Sequence, residues 1–248
     1  MMKILVCITQ APDTTAKIDF TNNDTEFNQQ GVTYIINPYD EWYSLVRAIE
    51  LKEAGNAQEI HLLTVGEANS DAIIRKALAL GGDKAFRINA AAKDTYEIAE
   101  LIADFAKDKD YSLILTGKES IDYNNSSVGT AIAGLLDYNF IGYATSLELE
   151  GEKVTCKREI EGGEEKISTS LPLVLSCQKG MAEARIPNMR GIMAARTKPL
   201  EVVEPSAIYN LTEIVKYEKP APKTGVKLFT EDQIDDLVAA LHTEAKVI

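Results

Sequence analysis

Residues 59–82, EIHLLTVGEANSDAIIRKALALGG, decide the fold. Residues 59–65 form a short apolar run of strand type. After Gly66 the pattern changes: Ser70 is a capping-type residue, apolar side chains follow at helical spacing to Leu80, and Gly81-Gly82 ends the segment. A buried-type run followed, across one glycine turn, by an amphipathic stretch predicts a strand feeding a crossover helix.

The same alternation recurs on both sides. Residues 3–9 (KILVCIT), 32–36, 85–89 and 112–116 (SLILT) read as strands. Residues 40–54 place Trp42, Leu45, Val46, Ile49 and Leu51 mostly three or four apart, and 95–107 carry Ile98, Leu101, Ile102 and Phe105 on one stripe. Short buried strands between amphipathic helices predict an α/β, Rossmann-like fold with a mostly parallel sheet flanked by helices.

Past residue 140 the pattern shifts. Residues 145–150, 153–159 and 166–170, joined at Gly151-Glu152 and Gly162-Gly163, read as antiparallel hairpins, and 173–177 (LVLSC) as a strand rejoining the sheet. We therefore divide the chain into an α/β domain at 1–218, with a hairpin insertion at about 144–172, and an arm at 219–248. The arm is Pro-punctuated and ends in a helix at 230–242 that begins at a TEDQ cap and should bury Ile234, Leu237, Val238 and Leu241. It either folds back on its own domain or wraps a partner.

The 248 residues carry 38 Asp+Glu against 26 Lys+Arg, a net charge of −12, which speaks against a general nucleic-acid binder. Cys7, Cys156 and Cys177 are odd in number and sit in apolar runs, as reduced core thiols do. The five-residue apolar run before Thr9 is too short for a secretory segment, and nothing approaches the ~18 apolar residues of a membrane span, so no membrane insertion and a cytoplasmic location are expected. Two histidines, His61 and His242, do not support a multi-histidine metal site, and no metal is expected. Nucleophile-elbow, Walker and G-x-G-x-x-G signatures are missing.

The segment Gly117-Lys-Glu-Ser-Ile-Asp-Tyr-Asn-Asn-Ser-Ser-Val-Gly129 is a polar loop opening a helix, with Ser126 and Ser127 near the helix N-terminus. Free N–H groups there bind anions. With the loop ends after residues 3–9 and 59–65 it makes either a mononucleotide- or phosphate-sized pocket or a capped loop without ligand. A second cluster, Arg185-Ile-Pro-Asn-Met-Arg-Gly-Ile-Met-Ala-Ala-Arg-Thr-Lys198, sets four cations around the apolar tips Ile186 and Met189. It reads as a flexible docking loop or as an ordinary packed loop.

Taken in order, several stretches resemble the beta subunit of electron transfer flavoprotein: KILVCITQAPD, INPYDEW, IRKALALGGDKAFRI, LTGKESIDYNNSSVG, KREIEGGEEKISTSLPLVLS, IPNMRGIMAARTKPLEV, and TGVK before a helix. The most specific features are Arg158, Glu161-Gly162-Gly163, Glu165, Ile167 and Pro172. The resemblance implies a non-catalytic electron carrier subunit in a heterodimer with a larger alpha subunit that carries FAD. Such heterodimers accept electrons from flavoprotein dehydrogenases, as in fatty acid oxidation, and pass them to a quinone reductase of the membrane. The beta pocket would hold structural AMP or, in electron-bifurcating relatives, a second FAD. A freestanding nucleotide-binding regulator is the alternative from another class.

Carried over, the cofactor pocket comprises Cys7, Asn37, Pro38, Tyr39, Asp40, Val65, Gly117, Lys118, Glu119, Ser120, Ile121, Asp122, Tyr123, Asn124, Asn125, Ser126, Ser127 and Val128. Asn37 and the Cys7 and Val65 backbones would hold adenine; the loop and helix start would receive phosphate. Partner docking falls on Ile186, Met189, Arg190, Ile192, Met193 and Arg196, with Met189 taken as the anchor. Tyr123-Asn124-Asn125 depart from the acidic run of AMP-type members, and Tyr123 from the small residue of bifurcating ones; AMP is preferred. Thr14 replaces an aromatic that some members place near the alpha-subunit flavin.

Overall fold

The four apolar runs around residues 3–9, 59–65, 85–89 and 112–116 lie side by side. The computed structural model describes residues 2–38, 40–92, 94–206, 211–222 and 225–248. In chain order these form β1 (Lys3–Cys7), β2 (Gln10–Pro12), β3 (Phe20–Thr21), β4 (Glu26–Phe27), β5 (Tyr34–Ile36), α1 (Asp40–Glu53), β6 (Glu59–Val65), α2 (Asp71–Leu80) and β7 (Lys84–Ile88). Then follow α3 (Thr95–Ala106), β8 (Tyr111–Gly117), α4 (Val128–Leu136), β9 (Asn139–Glu150), β10 (Lys153–Ile160), β11 (Gly163–Ser170), β12 (Leu173–Cys177), α5 (Met189–Ala195), β13 (Leu200–Val203) and α6 (Ile234–Ala240).

One nine-stranded sheet runs β11-β10-β9-β12-β8-β1-β6-β7-β13. From β9 to β13 every pairing is parallel; the β9/β10 and β10/β11 pairs are antiparallel. Successive strand residues face opposite sides, so Ile4 joins the core under α1 and α2, with Leu45 and Leu78, while Leu5 joins the one under α3 and α4, with Phe105 and Ile132. Asp94 caps α3 by accepting from the Tyr96 and Glu97 amides, and the helix buries Leu101, Ile102 and Phe105. Phe105→Ala would cost ~3–5 kcal/mol through the cavity it leaves.

Several expectations are corrected. The apolar run at 32–36 is not a strand of the parallel sheet: β5 pairs antiparallel with β2 in a sheet of its own. The chain between β2 and β5 also makes the small β3–β4 hairpin, which the sequence reading missed. Past the 185–198 segment, β13 adds an edge strand beside β7. Ser70 makes no side-chain cap at α2. The Thr230/Gln233 capping box is formed, but Ile234, Leu237 and Val238 are exposed, not buried. That helix has no apolar seat among the described residues of this chain. The chain is fastened instead where the arm begins: Tyr217, just before it, stacks on Phe20 at 4.7 Å and its amide donates to Asp24 O, and Lys219 pairs with Asp19 at 2.7 Å.

Candidate functional site

β1 lies between β6, reached on one side, and β8, reached later on the other. Loops leaving the carboxyl ends of β1 and β8 therefore diverge, and a crevice opens at this switch point. It has a volume of ≈ 340 Å³. Cys7, Val65, Gly117, Lys118, Glu119, Ser120, Asp122, Tyr123, Asn125, Ser126, Ser127 and Val128 line it. Asn37, Pro38, Asp40, Ile121 and Asn124 stand outside the lining, and Tyr39 lies outside the described residues.

Asn37 is fully buried and its carboxamide is occupied by the loop: Nδ2 donates to Glu119 O at 2.7 Å and Oδ1 accepts from the Ile121 amide at 3.0 Å. The loop closes further through Ser126 Oγ to Glu119 Oε2 at 2.8 Å, the Asn124 amide to Ser120 O at 2.9 Å, and Asn125 Nδ2 to Thr95 Oγ1 at 3.0 Å. Gly117 is required where β8 meets α1, since a Cβ there would lie 2.8 Å from Glu41 Cγ and 3.2 Å from the Glu41 amide nitrogen. The loop then feeds the N-terminus of α4, whose first amides are available to an anion.

Carboxyls surround this crevice. Burial pushes Glu41 up to about 8, with the neighbouring Asp40 and Asp122 charges adding to the rise against two hydrogen bonds from Thr9. Burial likewise raises Asp40 to about 6 against the pull of Lys118. Lys118 and Glu119 pair at 2.9 Å, which holds Glu119 down and Lys118 up. Burial also pushes the Cys7 thiol up.

Sequence reasoning missed Glu41, Ser70 and Thr116, all in the lining; Gln10, part of the loop end expected there after residues 3–9, lines it too. Gln10 Oε1, Ser70 Oγ and Thr116 Oγ1 are buried atoms that find no hydrogen-bond partner among the described residues. An enclosed polar group left unpaired costs about 1–3 kcal/mol, so these residues fit a cleft that a polar ligand or ordered water completes. The signal of the missed residues was position: Ser70 follows the turn after β6, and Thr116 is the next-to-last residue of β8.

The segment at 185–198, read from the sequence as a flexible docking loop or an ordinary packed loop, is fastened at both ends and contains α5. Arg185 forks onto Glu53 at 2.8 and 3.0 Å, and its carbonyl accepts from Trp42 Nε1. Asn188 caps α5 through the Gly191 amide. Gly191 lets α5 touch α2, as a Cβ would stand 2.3 Å from Ala79 O. Arg75 donates to Ala195 O and Lys198 O, and Lys198 Nζ to Leu78 O and Gly82 O. Two of the four cations thus brace the segment, while Arg190 and Arg196 are exposed. Ile186 is 91 % exposed, Met189 72 % and Met193 66 %; Ile192 is less so, at 40 %.

His61 is half-buried between Tyr111, 2.7 Å from Nδ1, and Glu59, 3.1 Å from Nε2, away from the crevice. Among the described residues no group of three His, Cys, Asp or Glu could hold a metal, and no helix is long and apolar enough to cross a membrane.

An open, mostly parallel α/β sheet with a crevice at its switch point places the protein in the doubly wound class. Within that class its chain belongs to the electron transfer flavoprotein family, as a member of the beta-subunit branch: the electron transfer flavoprotein domain matches residues 24–208. The chain is 36% identical to electron transfer flavoprotein subunit beta of Bacillus subtilis over the full length of both. It is 35% identical to the Syntrophomonas wolfei protein of that name over 94% of this chain and 92% of the relative, and 30% identical to the human one over 99% of each.

Proposed function

We propose that the chain is the non-catalytic beta half of a heterodimer whose alpha subunit holds FAD. The pair takes electrons from flavoprotein dehydrogenases of the acyl-CoA type and passes them to a membrane quinone reductase, working from the cytoplasm. The observation that carries this reading is the loop of Gly117–Val128, held by buried Asn37 over a crevice of ≈ 340 Å³. Small-molecule sites span roughly 300–1,000 Å³, and one near the lower end suits a mononucleotide better than a dinucleotide. That favours AMP over a second FAD.

In this assignment the start of α4, with Ser126 and Ser127, receives the phosphate, and the Cys7 and Val65 backbones border the base. Asn37 acts through the loop shape, its own amide being occupied. The alpha-subunit flavin supplies the redox chemistry; this chain walls and positions. We take Ile186, the more exposed of the two candidate tips, as the docking anchor in place of Met189, with Met189 and Met193 beside it and Arg190 and Arg196 as the cationic rim. Residues 219–248 pack on the alpha subunit through the exposed Ile234, Leu237 and Val238. A freestanding regulator would have no use for such an arm.

The test is to denature the purified, co-expressed heterodimer and count the nucleotides released. One FAD and one AMP are expected. Two FAD would make it a bifurcating enzyme subunit, and an absence of both would overturn the proposal.

A further inference from the structure

Glu41 is a buried carboxyl to which the electron-carrier reading assigns no role. It is 5 % exposed and stands in the lining of the crevice, at the first turn of α1. Three walls meet on it. The Thr9 amide donates to Oε2 at 2.5 Å, and Thr9 O in turn accepts from the Asn37 amide at 2.9 Å. Gly117 packs against its Cγ so closely that no larger residue fits. Asp122, on the loop above, adds a like charge, as does Asp40 beside it. Cys7, on β1, feels the Glu41 charge in turn, and the Lys118–Glu119 pair sits over Asp40. Among the described residues no cation acts on Glu41.

A carboxyl so placed is stable as the neutral acid, because burial and two neighbouring carboxylates all oppose its ionisation. An anion entering the crevice adds a third opposing charge. We propose that Glu41 must keep its proton for the nucleotide to bind, a positioning residue that makes the crevice's affinity for a nucleoside monophosphate fall as the solution is made alkaline. The inference rests on the nucleotide reading of this crevice.

The sign follows from linkage. Free Glu41 titrates at about 8, and a bound anion moves that value higher. Binding is therefore at full strength below the free value. It weakens between the free and bound values by up to about tenfold per pH unit. The phosphate of the ligand, with its second ionisation near ~6, is already fully charged across that window and does not produce the effect.

The experiment titrates AMP into the purified, co-expressed heterodimer, freed of its endogenous AMP, from pH ~7 to ~9.5. Wild type should lose affinity with rising pH, whereas Glu41→Gln, which has no proton to lose, should bind with a flat profile. Parallel profiles overturn the inference alone. Failure of AMP to bind at any pH sinks the nucleotide reading and this inference with it. Infrared spectroscopy gives a readout free of ligand: wild type at neutral pH should show a neutral carboxylic-acid carbonyl band that Glu41→Gln lacks. Should the variant not fold, absence of that band from wild type overturns the inference by itself.

Discussion

The Asn37 carboxamide oxygen accepts a hydrogen bond from the Ile121 amide at 3.0 Å, although 84 positions separate them in the chain. A residue just before α1 thereby sets the shape of the loop after β8. Because Asn37 is fully buried, water does not substitute for it.

Asn37→Ala should leave Glu119 O and the Ile121 amide unpaired and cost on the order of 2 kcal/mol or more. A thermal melt checks the loss, and nucleotide content should fall with it. Asn37→Asp either stays neutral and keeps both bonds or buries a charge against Glu119 O, so its melt should fall as pH rises. An unchanged melt for Asn37→Ala would remove the loop's anchor from the account.

Gly191→Ala should lift α5 from α2, since the added Cβ meets backbone at Ala79 and backbone does not rotate away. Overpacking of this kind costs about 1–3 kcal/mol. Electron uptake from a donor dehydrogenase should slow while flavin content holds. Full-speed transfer in this variant would detach the docking role from the pose of α5.

Ile186→Ala and Met189→Ala change exposed side chains. Stability should stay within about 0.5 kcal/mol. Reduction by the dehydrogenase should slow in both, more for Ile186→Ala. If stopped-flow rates are unaltered in the two single variants and in their combination, the partner does not dock here.

Glu41 also ties stability to pH. Its folded value, about 8, lies above the ordinary 4.5 of the same group, so across that interval the native state holds a proton the unfolded state has lost. Its contribution is present in acid and declines as pH rises towards 8. Melts of wild type should therefore drop over that range more steeply than those of Glu41→Gln, and identical slopes would refute a neutral Glu41.

The strands legible in the sequence were those buried on both faces: β6 and β12 have the ends their apolar runs predicted. The run at 32–36 has the same character, yet nothing local says which strand it pairs with, and β5 chose β2. β13 is only four residues between Pro199 and Pro205, too short to announce itself. At the crevice the loop was readable from its polar residues and helix start. Glu41 was not, because a glutamate in a first helical turn ordinarily serves the helix dipole, and only the approach of Gly117 and Thr9 encloses it. The bracing of α5 by Arg75 and Lys198 was hidden for the same reason: contacts about 120 positions apart leave no local pattern.

The unseated face of α6 bears on how much of this chain a cell can tolerate. Ile234, Leu237 and Val238 stand in water as long as the chain is alone, and apolar surface of that kind invites self-association and recognition by chaperones and proteases. A surplus of this polypeptide over whatever covers that helix would be cleared or would precipitate. Matched production of the two chains, from one message or with tightly balanced translation, is the economical arrangement for a molecule built this way.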